Sequence, residues 1–322
     1  MRHYDLFNGD ADGLCALIQL RLVEPRESTL ITGVKRDIAL VKQVPADEPA
    51  SVTVLDVSLD KNRDAVDALL AAGSEISYID HHFPGEQLPD HPKFKAHIDT
   101  DPLTCTSLLV DQQLNGRYRN WAITAAYGDN LIAVADQLAA ESGLSKEQTG
   151  SLKQLGICLN YNGYGASIED LLFHPAELFE QLKGYEDPLQ LVQEQGACWT
   201  RLHQGYEADM AKGLNAPALV DESGLYCIAL PNEPWARRVS GVLGNELANA
   251  RPDSACAVLT EIDAEHYLVS LRAPLSNRSG ADEVARQFET GGGRKAAAGI
   301  NKLPKAEFER LVDSMRQQWS AR

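Results

Sequence analysis

Strand and helix patterns alternate over the first part of the sequence, and this alternation limits the possible folds more than any other feature. Apolar residues concentrate in His3–Phe7, as in a strand, and then recur at helical spacing at Leu14, Leu17, Ile18 and Leu22. The alternation continues with predicted strands at Thr29–Val34, Ser51–Val57 and Glu75–Asp80 and a predicted helix at Asn62–Ala72. Alternating strands and helices form mainly parallel sheets, so we expect an α/β fold whose doubly wound sheet is covered by helices on both faces.

The rest of the sequence predicts more helices and then a second, smaller α/β unit. Helical patterns dominate from Thr104 to about Leu182. Apolar residues three, four or seven positions apart between Leu189 and Met210 predict a longer helix, and short strand patterns return after Pro217. A chain of 322 residues usually forms more than one domain. We therefore predict a first domain at residues 1–185, a helical connector at 186–215 and a smaller α/β domain at 216–322.

The composition restricts the ligands and the location that we expect. The formal net charge of −16 at pH 7 disfavours a long nucleic acid duplex as partner, because such binding needs many Lys and Arg contacts to phosphate. No apolar run reaches the roughly 18 residues of a membrane span, and residues 1–8 lack the apolar core of a signal peptide. We therefore expect a cytoplasmic protein with no membrane partner. The six cysteines form no C-x-x-C pair, which argues against a zinc site or a disulfide framework.

Acidic and imidazole side chains follow three of the predicted strands at the point where each strand ends. They are Asp10 and Asp12 after the first strand, Asp56 at the end of the third, and Asp80, His81 and His82 at the end of the fourth. Taken alone, Asp10 with Asp12 and Asp56 are each more typical of a turn or a helix cap, and Asp80-His81-His82 is as typical of a polar loop. Ligands of parallel sheets bind beyond the carboxyl ends of the strands, so the three groups are expected at one rim. Oxygen and nitrogen donors without thiolate favour Mn²⁺ or Mg²⁺, and the set predicts a metal site.

Five segments carry a resemblance to a known family. They are Asn8-Gly9-Asp10-Ala11-Asp12-Gly13, Val54-Leu55-Asp56, Asp80-His81-His82, Tyr127-Gly128-Asp129 and Thr290-Gly291-Gly292-Gly293-Arg294-Lys295-Ala296-Ala297-Ala298-Gly299. The first four resemble, in order, the motifs of the DHH phosphoesterase family. The last resembles the glycine-rich signature of the first-type associated domain found in RecJ exonucleases and nanoRNases. The resemblance covers nearly the whole chain, and it implies a DHH catalytic domain followed by a DHH-associated substrate-binding domain.

The resemblance implies two divalent metal ions, preferably Mn²⁺, with Mg²⁺ as the alternative. By this likeness Asp10 holds the first ion, Asp12, His81 and Asp129 hold the second, and Asp56 bridges the two. Asp80 is expected to orient a histidine and His82 to contact the scissile phosphate.

Two positions near the first metal depart from the family pattern. Leu6 stands where many members have a histidine, and Asn8 stands where RecJ-like members have an aspartate. Asn8 is therefore a candidate ligand, although an amide oxygen is a weaker donor than a carboxylate.

Substrate binding is expected mainly in the glycine-rich segment. Gly291, Gly292 and Gly293 allow backbone N–H groups to approach a phosphate closely, while Arg294 and Lys295 add positive charge. Arg294 replaces the histidine that is usual in the family. Between residues 270 and 302 the six Lys and Arg outnumber the three Asp and Glu, a local balance of +3 that suits an anion. Further candidates for phosphate contact are Arg272 and Arg36, although the Lys35-Arg36 pair is more typical of a solvated surface.

The sequence therefore predicts a two-metal phosphodiesterase that hydrolyses short linear oligonucleotides, cyclic dinucleotides or both to 5′-phosphorylated products. The negative charge favours such small nucleotides as partners over long strands. The alternatives are a bisphosphate nucleotidase that acts on adenosine 3′,5′-bisphosphate, a single-strand exonuclease, and a regulatory protein that binds a nucleotide without cleaving it. The sequence leaves open the base preference, the choice between cyclic and linear substrates, and whether the chain forms a homodimer.

Overall fold

A computed structural model of the protein describes residues 1–319. The chain forms two compact units, Met1–Gly205 and Tyr206–Arg322. Each unit contains its own sheet and its own buried core. Within residues 1–319, no helix combines the length and the apolar composition needed to cross a bilayer.

The first unit is built on a five-stranded sheet whose strands all run parallel. The strands are β1 (Arg2–Asn8), β2 (Thr29–Gly33), β3 (Ala50–Leu55), β4 (Glu75–Asp80) and β5 (Phe94–Ile98). Their spatial order is β2-β1-β3-β4-β5. This arrangement confirms the α/β class that the strand and helix patterns predicted. It also places the carboxyl ends of β1, β3 and β4, which are neighbours in the sheet, at one edge.

The sequence patterns gave no indication of the fifth strand. Residues 95–97 of β5 are exposed, and the two strand ends are only half-buried. The strand lies at the sheet edge, so it lacks the apolar run typical of a buried parallel strand. Its pairing with β4, and not its own pattern, makes it a strand.

Helices complete the first unit. They are α1 (Ala11–Val23), α2 (Arg63–Ala71), α3 (Thr106–Gln113), α4 (Arg119–Gly128), α5 (Ile132–Glu141), α6 (Lys146–Gly163), α7 (Pro175–Leu182), α8 (Pro188–Gln193) and α9 (Ala197–Leu214), of which α9 continues into the second unit. The one long helix expected between Leu189 and Met210 is thus two helices. Gln195 explains the break, because its φ of 53° lies in the left-handed region that ends a helix.

The second unit contains a mixed six-stranded sheet in the order β10-β11-β9-β8-β7-β6. Its strands are β6 (Ala218–Glu222), β7 (Leu225–Leu230), β8 (Ala255–Glu261), β9 (His266–Arg272), β10 (Gly291–Gly293) and β11 (Ala297–Pro304). Its helices are α10 (Pro234–Ala250), α11 (Ala281–Ala285) and α12 (Phe308–Trp319). Only β7 and β8 pair in parallel; the other neighbours are antiparallel. The glycine-rich segment therefore forms the edge strand β10 and the hairpin that joins β10 to β11.

Asp5 is a fully buried carboxylate in the middle of β1. Arg21 of α1 donates two hydrogen bonds to it, from Nε at 2.8 Å and from Nη2 at 2.5 Å. Ser28 donates a third at 2.7 Å, and His3 Nε2 lies 2.9 Å from the carboxylate. Burial alone would raise the pKa of Asp5, but the hydrogen bonds from Arg21 and His3 hold it well below its usual range. The ion pair of Asp5 and Arg21 therefore links α1 to the sheet.

We expect Asp5→Asn to lower the free energy of unfolding by about 3–5 kcal/mol at pH 7, because it leaves the buried Arg21 without its counter-charge. The pKa of Asp5 is depressed in the folded state, so the stabilisation is complete above the unfolded-state pKa of about 3.9 and is lost as the pH falls below it. Urea unfolding of the wild type and of Asp5→Asn, at pH 7 and below about pH 4, measures the difference in their free energies of unfolding.

The control is Asp67→Asn, which removes the exposed pair of Asp67 with Arg63 and should cost less than about 1 kcal/mol at either pH. A constant difference between wild type and Asp5→Asn across this pH range would contradict the assigned ion pair.

Candidate metal centre

The turn between β1 and α1 positions Asp10 as the N-cap of the helix. Its Oδ1 accepts hydrogen bonds from the backbone N–H groups of Asp12 at 2.9 Å and Gly13 at 3.2 Å. The turn is tight, since a Cβ on Gly13 would lie 2.3 Å from the carbonyl oxygen of Asn8. The D-x-D spacing thus serves a helix cap and also brings two carboxylates to the edge of the sheet.

Asp12 joins this turn to the start of α3. Its Oδ2 accepts from the N–H of Thr106 at 2.8 Å and its Oδ1 from the N–H of Ser107 at 2.7 Å. The side chain is fully buried. Burial raises the pKa of Asp12, and the nearby Asp129 carboxylate raises it further. Asp12 therefore remains an unfavourable buried anion, even though the N-terminus of α3 partly stabilises it.

Asp56 follows β3 directly and adopts an unusual backbone conformation. Its φ is 57°, in the left-handed region that few residues other than glycine, asparagine and aspartate visit. Burial raises the pKa of Asp56 well above its usual value, and the carboxylates of Asp12 and Asp10 raise it further. A strained backbone and a destabilised anion at one residue are typical of a functional position.

The end of β4 supplies a pair of histidines with different surroundings. His81 Nδ1 lies 3.1 Å from the carbonyl oxygen of Thr104, which can only accept, so Nδ1 carries the proton and Nε2 presents a lone pair. His82 Nδ1 lies 2.7 Å from Oδ1 of the buried Asp80, and its side chain is 33% exposed. Burial alone would lower the pKa of His82, but the hydrogen bond to Asp80 and the charge of Asp56 raise it.

The lone pair of His81 faces three carboxylates. Nε2 lies 3.4 Å from Asp56 Oδ1, 3.8 Å from Asp12 Oδ2 and 3.8 Å from Asp129 Oδ2. Asp129 caps the end of α4, and its side chain is 7% exposed. Donor atoms within 4.8 Å of one another form two groups that share His81: one with Asp12 and Asp129, the other with Asp56 and His82. Oxygen and imidazole donors among mutually repelling buried anions fit a divalent cation of the Mn²⁺ or Mg²⁺ type.

Lys35 lies beside the same carboxylates, where the sequence had suggested a phosphate contact or a solvated residue. Its ammonium group contacts Asp10 Oδ2 and lies 3.3 Å from Asp129 Oδ1. A third acceptor, Asn160 Oδ1 of α6, lies 3.2 Å away. Burial alone would lower the pKa of Lys35, but Asp10 and Asp129 raise it well above its usual value.

The structure thus brings six of the predicted residues into one group in the first unit: Asp10, Asp12, Asp56, His81, His82 and Asp129. Asp80 lies behind His82. Asn8 also lies near the site, but its side chain bonds the backbone: Oδ1 accepts from the N–H of Asp10 at 3.3 Å, and Nδ2 donates to the carbonyl of Lys35 at 3.2 Å. Arg36 is half-buried next to Lys35.

The other predicted contacts belong to the second unit. Arg294 and Lys295 are exposed at the hairpin between β10 and β11. The carbonyl oxygens of Lys295 and Ala296 accept from the N–H groups of Ala281 and Ala273, at 2.9 and 3.0 Å, which holds the hairpin tip in place. Arg272 instead donates to Asn245 Oδ1 at 2.7 Å and to the carbonyl of Gly241 at 3.0 Å. Its role in substrate binding stays a prediction.

The three glycines of β10 have different surroundings. A Cβ on Gly291 would lie 1.8 Å from the carbonyl oxygen of Ala285, and a Cβ on Gly293 would lie 2.5 Å from the Cα of Ala298. A Cβ on Gly292 would meet no atom of the described residues within 4 Å. Gly291 and Gly293 are thus required by packing within the second unit, whereas the space at Gly292 is open to a ligand.

Sequence reasoning missed two residues of this group. Asn160 lies far along the chain in a helix without a recognisable motif, and Thr106 approaches Asp56 Oδ1 at 3.4 Å from the start of α3. Only the basic pair after β2 could have indicated Lys35, and that pattern does not distinguish a surface residue from a buried one.

Comparisons with known proteins identify solved structures of similar fold. Exonuclease RecJ bound to manganese has a TM-score of 0.63 at 16% identity, over 100% of this chain and 90% of that chain. RecJ from Thermus thermophilus in complex with Mn²⁺ has the same score and identity, over 99% of this chain. The present chain spans about half of that protein, 52% of its length. The pGpG-specific phosphodiesterase PggH from Vibrio cholerae has a TM-score of 0.56 at 13% identity, over 99% of both chains.

The chain shares the fold of these proteins. They belong to the DHH superfamily, and at these identities the similarity concerns the fold alone. No protein-family model and no curated protein matches the sequence.

The position of Asp56 leads to a test of the metal centre. Asp56→Asn keeps a residue that tolerates the left-handed conformation but removes one anionic donor. We expect it to weaken Mn²⁺ binding by more than about 10–100-fold, the usual cost of losing even an outer-shell partner of a metal. Without metal the variant should melt at a higher temperature than wild type at pH 7, because a repelled buried anion is gone. Thermal melting with and without Mn²⁺ measures both effects.

The matched control is Asp60→Asn, an exposed aspartate four residues further along, which should leave both melting temperatures unchanged. Wild-type Mn²⁺ affinity in Asp56→Asn would show that the metal binds elsewhere.

Proposed function

We propose that this protein is a metal-dependent phosphodiesterase that hydrolyses dinucleotides and short oligonucleotides to 5′-phosphorylated products. The observation that carries the proposal is the buried group formed by His81 Nε2 and the carboxylates of Asp12, Asp56 and Asp129 at the carboxyl edge of a parallel sheet. The fold adds support, because it is shared with a RecJ exonuclease bound to manganese and with a pGpG-specific phosphodiesterase.

In this proposal the four side chains hold a divalent ion. Such an ion supplies positive charge to a phosphate and lowers the pKa of a coordinated water towards neutrality. Thr104 fixes the tautomer of His81 so that its Nε2 faces the carboxylates. Thr106 and Ser107 hold Asp12 in place through their backbone N–H groups. These contacts keep the donors oriented before a metal arrives.

His82 is the proposed contact to the scissile phosphate. The Asp80 carboxylate accepts from its Nδ1, which fixes the ring and leaves Nε2 as the second ring nitrogen available for a ligand. The same hydrogen bond favours the charged imidazolium, which donates to a phosphate oxygen better than the neutral ring does. Asp80 thus acts as a positioning residue for His82.

Charge limits the size of the proposed substrate. A protein with a net charge of −16 repels a long polyanion, whereas a dinucleotide needs only a few local cations. The hairpin of the second unit provides Arg294 and Lys295, both exposed, next to the open backbone of Gly292. We propose that this hairpin binds a phosphate or sugar of the substrate.

The proposal predicts a defined substrate profile. With Mn²⁺, the purified protein should hydrolyse linear or cyclic dinucleotides faster than a long single strand or adenosine 3′,5′-bisphosphate. Chelation should abolish turnover, and Mn²⁺ should restore it better than Ca²⁺, whose larger and looser coordination suits water activation poorly. Chromatographic separation of the products measures the rates, and Asp56→Asn serves as the inactive control.

Full turnover in excess chelator would contradict the metal dependence. A clear preference for adenosine 3′,5′-bisphosphate would instead identify a nucleotidase, and a preference for the long strand would identify an exonuclease. Tight nucleotide binding without any turnover would indicate a regulatory protein.

A second prediction concerns the hairpin. Arg294→Ala should lower kcat/KM on dinucleotides by about 30-fold or more, since loss of a charged contact to a ligand typically costs about 2–5 kcal/mol. Gly292→Ala should fold normally, because a Cβ there meets no atom of residues 1–319 within 4 Å, and should lower the same rate by obstructing the approach of the substrate. Hydrolysis of a small aryl phosphodiester that does not reach the hairpin should persist in both variants.

Arg278→Ala is the charge-matched control, because it removes another exposed arginine of the same unit and should leave both rates unchanged. Equal losses on the dinucleotide and on the aryl ester would show that Arg294 supports the fold and does not contact the substrate.

A further inference from the structure

The ammonium group of Lys35 has three oxygen acceptors, one for each of its N–H bonds. They are Asp10 Oδ2 in contact, Asn160 Oδ1 at 3.2 Å and Asp129 Oδ1 at 3.3 Å. Asp10 and Asn160 are each 1% exposed, and the Lys35 side chain is 23% exposed. The ring of Tyr164 adds a further contact, with its centroid 5.7 Å from Nζ. All donors of this lysine are therefore used within the site.

The backbone of Lys35 is held on both sides. Its N–H donates to the carbonyl of Gly163 at 2.8 Å, and its carbonyl accepts from Asn8 Nδ2 at 3.2 Å. These bonds connect the loop after β2 to the end of α6 and to the end of β1. The position of the side chain is therefore set by three separate parts of the first unit.

The donors needed for a second metal ion beside Asp10 are already engaged. Asp10 Oδ1 accepts from two backbone N–H groups, and Asp10 Oδ2 contacts the Lys35 ammonium. The Asn8 side chain bonds the backbone through both its oxygen and its nitrogen. Leu6, where the related family often has a histidine, is fully buried in the apolar core. A cation on Asp10 would also lie next to a fixed positive charge, which repels it.

We propose that the ammonium of Lys35 occupies the place of the first metal ion, so that the protein binds a single divalent ion, at Asp12, Asp56, His81 and Asp129. The inference rests on the proposed metal dependence, and it disagrees with the two ions that the family resemblance implies. An ammonium supplies positive charge to this edge of the sheet but has no coordination position for a water or a phosphate oxygen. Lys35 pairs with Asp10 and Asp129, and the two charges of the metal offset most of the remaining negative charge of Asp12, Asp56 and Asp129.

The test is the number of Mn²⁺ ions bound per chain. Metal-free wild-type protein is titrated with Mn²⁺ in a calorimeter, and the paramagnetic resonance spectrum of the bound ion is recorded. We expect one ion per chain and the resolved hyperfine spectrum of an isolated ion. Lys35→Ala should raise the number to two and broaden the spectrum by coupling between ions about 3.5–4 Å apart. Lys35→Arg, which keeps the positive charge, should retain one.

Two ions in the wild-type protein would overturn the inference while leaving the proposed function intact. No bound ion in the wild type would overturn the metal dependence as well. The wild-type measurement decides between these outcomes by itself, so the inference is tested even if Lys35→Ala fails to fold. One ion in a folded Lys35→Ala would show that the lysine does not exclude the second metal, and would also overturn it.

Discussion

Repulsion among four buried carboxylates is the main electrostatic constraint on the structure of the first unit. Asp10, Asp12, Asp56 and Asp129 all lie at one edge of the sheet with little exposure to water. In a buried environment, like charges at these distances are strongly unfavourable. The group persists because the surrounding structure supplies positive partners: backbone N–H groups, one lysine and, as we propose, one divalent metal ion.

The topology of the unit provides the first of these partners. Because the sheet is parallel, its strands end at a common edge, and two helices begin there. The N-terminus of α1 bonds Asp10 and the N-terminus of α3 bonds Asp12. Helix N-termini carry a partial positive charge, so each carboxylate is stabilised by the helix that it caps. The same contacts orient the carboxylates, so they contribute both to the stability of the fold and to the geometry of the site.

The second partner is Lys35, whose ammonium group contacts Asp10. Two solved RecJ structures of this fold contain manganese, and the carboxylate and imidazole donors of this chain fit a divalent ion of that type. Asp10 already has a lysine in contact with it, from which we infer that no further ion binds there. A fixed ammonium does not depend on metal supply, whereas an ion can dissociate. Part of the charge compensation is thereby independent of metal concentration.

Much of this site could be predicted from the sequence alone, because most of its residues follow short, local sequence patterns. Strand periodicity places Asp10, Asp56 and Asp80 at strand ends, and parallel strands end at one edge, so their proximity follows from patterns a few residues long. The residue types there also indicate a metal of the manganese class. The edge strand β5 lacked such a pattern and depended on its pairing with β4.

Only the tertiary structure decided which cation stands beside Asp10. Lys35 and Arg36 are adjacent basic residues, and no local pattern separates the one that enters the carboxylate group. Lys35 reaches Asp10 across 25 positions, Asp129 across 94 and Asn160 across 125. These contacts exist because β1, β2, α4 and α6 meet at one edge of the sheet. The sequence by itself determined the donors of the candidate metal centre, while the packing of distant elements determined that a lysine lies beside them.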